Sequence, residues 1–303
     1  IAKQFSLQFA YQIAYDKGKN NYFTYDYSAN TKQYDQLVST LSNEFEQAVI
    51  THRPNLKLTY NAKKINYSIG SGFGFTSFDL LDKTLNTEYK RSYTNFFPSA
   101  SFSYKYKNNS NLRFNYYGST IQPTLDQLQP LRNNQDFFNQ TLGNPDLKQS
   151  FKNRIEIFQS SYDMLTETQF YQGFNFNTTT NAIIYSSLTD PETAKTISKP
   201  INTNGNFSAN FYLGYGLKFN KIDIRANFSP FLGYIKSALS INNIMGSSEN
   251  LNTGLSVYLS KSKQEKYEIN LSNRFTYNRN STTQNSEIKS FNTNTLDLDI
   301  GIY

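Results

Sequence analysis

The sequence alternates apolar and polar residues with a period of two, over stretches longer than most strands of globular proteins. From residue 5 to 15, each odd position holds Phe, Leu, Tyr or Ile and each even position is small or polar; residues 207–217 follow a similar pattern. Successive side chains of a strand point to opposite faces, so each stretch has one apolar and one polar face. Recurring strands of this length predict an all-β protein: an antiparallel up-and-down transmembrane β-barrel with lipid outside and a polar interior.

The composition excludes a helical membrane protein but allows a membrane barrel. The mean hydropathy is -0.63 and 37% of the residues are hydrophobic, and no stretch approaches the roughly 20 apolar residues that a membrane helix needs. A barrel strand needs an apolar residue only at every second position. The 24 Tyr and 25 Phe residues fit the aromatic girdles of a bilayer interface. A soluble Tyr-rich β-protein that binds a ligand is the alternative.

The residues that carry most enzyme and metal chemistry are scarce. There is no Cys and one His, His52, so the sequence predicts no disulfide, no metal site, no cofactor and no catalytic residues. Gly70, Gly72 and Gly74 lie within a predicted strand, where a phosphate-binding loop is not expected. The formal charge is +7, but the cations are scattered and many fall in turns, so we expect no nucleic-acid partner.

Alternation and turn signals predict about thirteen strands joined by connections that alternate between short and long. The strands lie near 4–15, 22–28, 47–60, 65–79, 96–106, 112–118, 152–162, 168–184, 202–217, 222–240, 251–259, 267–279 and 290–303. The short connections are 16–21, 61–64, 107–111, 163–167, 218–221 and 260–266, and the long ones are 29–46, 80–95, 119–151, 185–201, 241–250 and 280–289. This rhythm is typical of outer-membrane barrels, with tight periplasmic turns and longer external loops.

Two features refine the strand assignment. Asp223 and Arg225 fall on the polar side of their strand, which fixes its register, because an Arg facing lipid at the midplane would cost about 2–4 kcal/mol. Pro98 and Pro230 lie within predicted strands and each lacks a ladder donor, which predicts a strand end or a bulge at both positions.

The longest connection, 119–151, is predicted to fold rather than to remain irregular. Leu residues recur along it between Pro, Gly and Asn residues, and a connection of this length is usually functional or disordered. We expect one helical turn around Leu125–Leu128. Arg132, Asp136 and Asn144 are the candidates for shaping an outer vestibule that meets a ligand. Alternatively, the Leu and Pro residues only fold the loop on itself, and the sequence does not decide between the two.

This connection also carries a family resemblance. It contains Gln122, Pro123 and Leu128, followed by Gly143, Asn144, Pro145, Leu147 and Lys148. The pattern resembles TonB-dependent receptor barrels, in particular the outer-membrane β-barrel family of Bacteroidota, in which a Pro-Ser/Thr-x-x-Gln-Leu segment precedes a Gly-Asn-Pro-x-Leu-Lys segment. Ile121 stands where that family often has Arg, and Gln149-Ser150 replace its Pro-Glu.

The resemblance implies more than the fold. It implies a barrel of about 22 strands, of which residues 1–303 supply about thirteen, with a plug domain and the first strands preceding them. It implies an importer in the bacterial outer membrane that is driven by TonB through the plug. Its solute would be a small molecule, an oligosaccharide, a peptide or a metal chelate, and its partners lipid and surface lipoproteins or other subunits. A structural or assembly role in the outer membrane remains the second interpretation.

Overall fold

The protein is almost entirely β-sheet. The fold is taken from a computed structural model that describes residues 4–39, 42–83, 86–128, 132–133, 138–263 and 266–303. Among these residues, no helix is long and apolar enough to cross a membrane. The elements are β1 (Phe5–Tyr22), β2 (Tyr25–Ser28), β3 (Gln33–Leu37), β4 (Asn43–Asn61), β5 (Ile65–Asp82), β6 (Thr87–Lys107), β7 (Ser110–Ile121), α1 (Leu125–Leu128), β8 (Arg132–Asn133), β9 (Asn139–Leu142), β10 (Ser150–Asp163), β11 (Thr168–Thr180), β12 (Ala182–Thr189), β13 (Thr196–Thr203), β14 (Asn206–Phe219), β15 (Ile224–Ile241), β16 (Ile244–Lys263), β17 (Tyr267–Gln284) and β18 (Glu287–Ile302).

Twelve long strands of the described residues form one antiparallel meander. Their order is β1-β4-β5-β6-β7-β10-β11-β14-β15-β16-β17-β18, and each strand pairs with the next along this path. Within the described part of the chain, β1 pairs with β4 alone and β18 with β17 alone, so the sheet is not closed. The up-and-down antiparallel wall is therefore confirmed.

The wall has an apolar face and a polar face, as the alternation predicts. Directly opposed residues of antiparallel strands share a face, and Ile69, Phe73 and Phe75 of β5 are exposed large hydrophobic residues. The intervening Ser68 and Thr76 are buried on the other face. The two faces that the alternation predicts are therefore confirmed; in a membrane barrel the apolar face would meet lipid and the polar face would line the interior.

The strands extend beyond the apolar face at one end of the wall. In β4, apolar-face positions are mostly apolar from Tyr60 back to Ile50, while Glu46 and Glu44 lie further along. Short connections at 62–64, 108–109, 164–167, 220–223 and 264–266 join the strands at one end, here called the short-turn end. The other, long-connection end carries 23–42, 83–86, 122–149, 181–205, 242–243 and 285–286.

The first predicted turn and second predicted strand are wrong. Residues 16–21 were expected to turn and 22–28 to form a separate membrane strand, but β1 continues unbroken to Tyr22 and pairs with β4 along its whole length. The first strand therefore runs toward the long-connection end, whereas a short turn at 16–21 would have ended it at the short-turn end, and the odd number of predicted strands rested on the same error. Residues 25–37 instead form the hairpin β2–β3.

Other predicted boundaries also move. The predicted alternation of short and long connections is wrong at 80–95, 241–250 and 280–289, because long hairpins leave only 83–86, 242–243 and 285–286 between their strands. The expected loop 185–201 contains most of the hairpin β12–β13, and the strand expected at 168–184 ends at Thr180. Asn181 has a φ of 50°, which turns the chain there. Asp223 also lies in a turn, whereas Arg225 faces the polar side as predicted.

Prolines coincide with interruptions of the hydrogen-bond ladders. Pro98 lies at the point where β6 and β7 stop pairing, since their register begins at Ser99. The β14–β15 ladder lacks the pairs around Pro230, and the β4–β5 ladder lacks those around Pro54, while the register is the same on both sides of each gap. Each Pro lacks the N–H that a ladder requires, but β6 and β15 run through Pro98 and Pro230 without a change of register. The strand end or bulge predicted at these two positions is therefore wrong.

Candidate functional site

The connection 122–149 begins with a capped helical turn. Thr124 precedes α1, and its hydroxyl accepts a hydrogen bond of 3.4 Å from the Gln127 N–H. The Gln127 side-chain oxygen in turn accepts a bond of 3.0 Å from the Thr124 N–H. This reciprocal arrangement is a capping box, which satisfies donors that the helix start leaves unpaired. The helical turn predicted around Leu125–Leu128 is therefore confirmed.

The connection folds back onto the polar face and makes an apolar contact there. Leu128 and Pro145 surround a small cavity of about 20 Å³ together with Phe45, Phe78 and Leu80 at the long-connection end. Leu128, Phe45 and Leu80 are 7%, 3% and 5% exposed. The wall carries apolar residues on its polar face here because the loop covers them.

Hydrogen bonds fix both ends of the connection to the same wall. The Gln122 amide donates to the Thr76 hydroxyl at 2.9 Å. The Gln149 amide donates to the Asn95 side-chain oxygen at 2.8 Å. The Asn95 amide in turn donates to the Thr76 hydroxyl at 3.4 Å, and both residues are buried. The two motif segments therefore meet at one point on β5 and β6.

Asn144 forms hydrogen bonds with three separate residues of the connections at the long-connection end. Its backbone N–H donates to the Gln127 carbonyl at 2.6 Å. Its side-chain amide donates to the Pro200 carbonyl at 2.9 Å, and its side-chain oxygen accepts a bond of 3.1 Å from the Asp146 N–H. The side chain thus has structural partners within its own connection and in β13.

Asn202 holds the connection 122–149 to the connection 181–205. Its side-chain oxygen accepts a bond of 2.7 Å from the Lys148 N–H. Its amide group donates at 2.9 Å to the carbonyls of Lys148 and Asn181. One side chain therefore satisfies three backbone groups of two separate connections.

The two connections build a small sheet at the long-connection end, here called the rim layer (β8, β9, β12 and β13). β9 pairs antiparallel with β8 and parallel with β13. β13 pairs with β12, which pairs in parallel with the end of β15 through Ser186 and Ser240. The rim layer therefore spans from the loop over β4–β6 to β15.

The predicted site residues fall in different places within this layer. Arg132 begins β8, where its backbone pairs with Leu142; its side chain and all of Asp136 lie outside the described residues. Asn144 is half-buried, and Pro123, Gly143 and Leu147 are buried. The vestibule role of Arg132, Asp136 and Asn144 stays a prediction.

The polar face also forms an open groove of about 520 Å³ below the rim layer, here called the asparagine groove. Adjacent positions of β10, β11 and β14 line it in register, since Lys152 lies opposite Thr179 and Thr179 opposite Asn206. Its main polar side chains are Lys152, Arg154, Asn175, Asn177, Asn206, Ser208 and Asn210. The sequence reasoning missed this groove, although the Asn residues stand at alternate positions of two predicted strands.

An ion-pair cluster lies at the long-connection end, beyond the apolar face. The Lys83 ammonium is 2.6 Å from the Glu46 carboxylate and 3.2 Å from that of Glu44, and Lys19 also pairs with Glu46. Hydrogen bonds from Lys19 and then Lys83 lower the pKa of Glu46 from 4.5 to about 2. The cluster ties β1, β4 and the start of the 83–86 turn together.

The described residues contain no group of three or more His, Cys, Asp or Glu residues placed to hold a metal ion. His52 lies on the apolar face, where its Nδ1 is 2.7 Å from the Tyr11 hydroxyl. This position faces the lipid side of the wall rather than a cleft. The absence of catalytic residues stays a prediction.

A two-faced antiparallel wall whose long connections all lie at one end is typical of the class of outer-membrane β-barrel proteins. Comparison with protein families matches residues 1–302 to the Outer membrane protein beta-barrel family. The chain belongs to this family, which places it in the bacterial outer membrane. A search of curated proteins finds no significant match.

Proposed function

We propose that the chain is the barrel portion of an outer-membrane TonB-dependent receptor that takes up a scarce solute through a lumen gated by a plug. The observation that carries the proposal is the inward fold of the connection 122–149. Leu128 and Pro145 pack on the polar face, and bonds to Thr76 and Asn95 fix the loop there. A fixed loop over a polar interior limits which solutes enter, whereas an anchor has no need of one.

The polar interior supports the same proposal. The asparagine groove offers side-chain amides and hydroxyls in register on three neighbouring strands. Such groups exchange hydrogen bonds with polar solutes as these leave water. The groove lies below the rim layer, so a solute admitted past the loops would meet it next.

The test uses the full-length gene in its own bacterium. Leu128→Asp would place a charge in the apolar contact and detach the loop, whereas Leu165, 94% exposed in a short turn, provides Leu165→Asp as the matched control. The strains are grown with one scarce solute at a time: oligosaccharides, peptides or iron chelates. We expect a growth defect in the deletion strain and in Leu128→Asp on one solute, normal growth of Leu165→Asp, and the same defect on depletion of TonB.

Equal growth of the deletion strain and its parent on every solute would contradict import. Normal growth of the TonB-depleted parent on the solute that the deletion strain cannot use would also contradict it. Surface labelling of Leu128→Asp checks that the variant still reaches the outer membrane.

A structural or assembly role is the second candidate, and exposed apolar residues of the rim layer favour it. Tyr185 and Leu188 of β12 are 48% and 47% exposed at the outer end. These side chains would contact a surface lipoprotein or another outer-membrane subunit. Crosslinking from position 185 in intact cells distinguishes the roles, because an assembly component would give one crosslinked partner without any solute.

A further inference from the structure

Four neighbouring strands, β4 to β7, concentrate positive charge. Residues 47–78 and 89–125 contain neither Asp nor Glu. The same segments carry Arg53, Lys57, Lys63, Lys64, Lys90, Arg91, Lys105, Lys107 and Arg113. Because β4, β5, β6 and β7 are consecutive in the sheet, these cations share one part of the wall, here called the cationic sector. The carboxylates of these strands lie at the long-connection end.

The cationic sector contains a groove of about 240 Å³ on the polar face near the short-turn end, here called the cationic groove. Lys57 and Arg113 line it, and strand register places both on the polar face, opposite Gly70 and Ser103 respectively. The remaining polar lining consists of hydroxyl and amide side chains from Thr59, Asn61, Asn66, Ser68, Ser101, Ser103 and Asn115. Within the part of the chain that the structure describes, no carboxylate lines this groove.

The two cations lack acidic partners among the described residues. Neither Lys57 nor Arg113 forms an ion pair there, whereas Arg154 on β10 pairs with Glu156. Unpaired cations in a concave polar wall focus a positive potential into the groove. The hydroxyls of Ser68 and Ser101, 2.7 Å apart, supply a neutral donor between them.

We propose that the cationic groove binds an oxyanion, the phosphate or carboxylate group of a small water-soluble molecule. Arg113 supplies a planar fork that matches two oxygens of such a group, and Lys57 supplies a compact charge. Lipid headgroups carry the same chemistry, but the groove opens on the polar face, away from the acyl chains. The proposal does not depend on transport or on TonB.

The test measures binding of inorganic pyrophosphate to the full chain, purified in an uncharged maltoside detergent, by equilibrium dialysis. We expect saturable binding that weakens at least about tenfold in Lys57→Gln and in Arg113→Gln, since a charged hydrogen bond is lost in each. Lys57→Arg keeps the charge and should keep most of the affinity. Arg274→Gln removes a positive charge from the polar face of β17, opposite Asp297, and should leave binding unchanged.

Three results would overturn the proposal. They are absence of saturable pyrophosphate binding, equal weakening by Arg274→Gln, and binding that appears only when vesicles containing phosphatidylglycerol are added. The last would assign the sector to a lipid headgroup. Circular dichroism of each variant, together with Lys57→Arg, separates loss of a ligand contact from loss of fold. Weaker pyrophosphate binding by Lys57→Gln together with normal solute uptake would show that the groove binds its ligand independently of import.

Discussion

Tyr171 lies with its ring across Gly214, and Tyr212 lies across Gly173 in the reciprocal arrangement on the polar face. Each Tyr is directly opposite the Gly that it covers, on β11 and β14. A Cβ added at Gly173 would lie 2.2 Å from Cζ of Tyr212, and one at Gly214 would lie 2.1 Å from Cζ of Tyr171. The two rings therefore lie flat on the wall because the opposing residues have no side chain.

Gly173→Ala should force the Tyr212 ring off the wall. We expect a loss of about 1–3 kcal/mol in the free energy of unfolding, the usual range for overpacking. Urea unfolding of the protein in lipid vesicles measures it. In the double variant Gly173→Ala with Tyr212→Ala, the Ala methyl has free space, so the two losses should be less than additive. Full additivity would show that the ring and the Gly do not interact.

The two faces of the wall predict different costs in folding free energy for two nearby substitutions to Arg in β15. Leu232 is 47% exposed on the apolar face, so Leu232→Arg should cost about 2–4 kcal/mol where it meets the bilayer. Ser229→Arg places the same side chain on the polar face and should cost far less. Folding yields into phosphatidylcholine vesicles compare them. Equal yields would favour a soluble β-protein instead.

Removal of the Asn202 side chain should loosen the rim layer without unfolding the wall. Asn202→Ala leaves backbone groups of Lys148 and Asn181 without their partner, at about 1–3 kcal/mol for each group that water does not reach. Hydrogen exchange should accelerate in 138–149 and 181–204 and stay slow in β16 and β17. Asn204→Ala, which removes one bond to the Asn181 N–H, should give a smaller change of the same kind.

The ion pairs of Glu46 predict a stability that depends on acid pH. Because Lys19 and Lys83 lower the pKa of Glu46 from 4.5 to about 2, the folded state holds this proton less tightly than the unfolded chain. The stabilisation is therefore complete above the unfolded pKa and is lost as the pH falls through about 2. Thermal unfolding should show wild type more stable than Glu46→Gln at pH 7, with the difference shrinking below about 4.5. A difference independent of pH would contradict the ion pairs as its cause.

The two faces and most short turns could be predicted because they depend on local pattern. Arg225 and Phe75 fall on the faces that alternation assigns, and the helical turn at Leu125 follows its capping residues. The ends of the strands could not be predicted from the same alternation. Beyond the apolar face both sides of a hairpin meet water, so alternation fades while pairing continues, as in β1 beyond Asp16.

The rim layer and the two grooves could not be predicted from the sequence, for a different reason. The bond from Asn144 to Pro200 joins segments far apart in the chain, and nothing near Asn144 specifies that partner. Likewise, Lys57 and Arg113 look scattered in the sequence and share a groove only because β4–β7 are neighbours in the sheet. Tertiary pairing, not local propensity, creates these sites.

The pairing pattern also sets an order of assembly. Each wall strand pairs with its nearest long neighbours in the chain, so hairpins such as β16–β17 close short loops and can form one after another. The hairpin β12–β13 is different, because it needs β9 on one side and β15 on the other. We therefore expect the rim layer to form last, after the wall has brought its distant attachment points together.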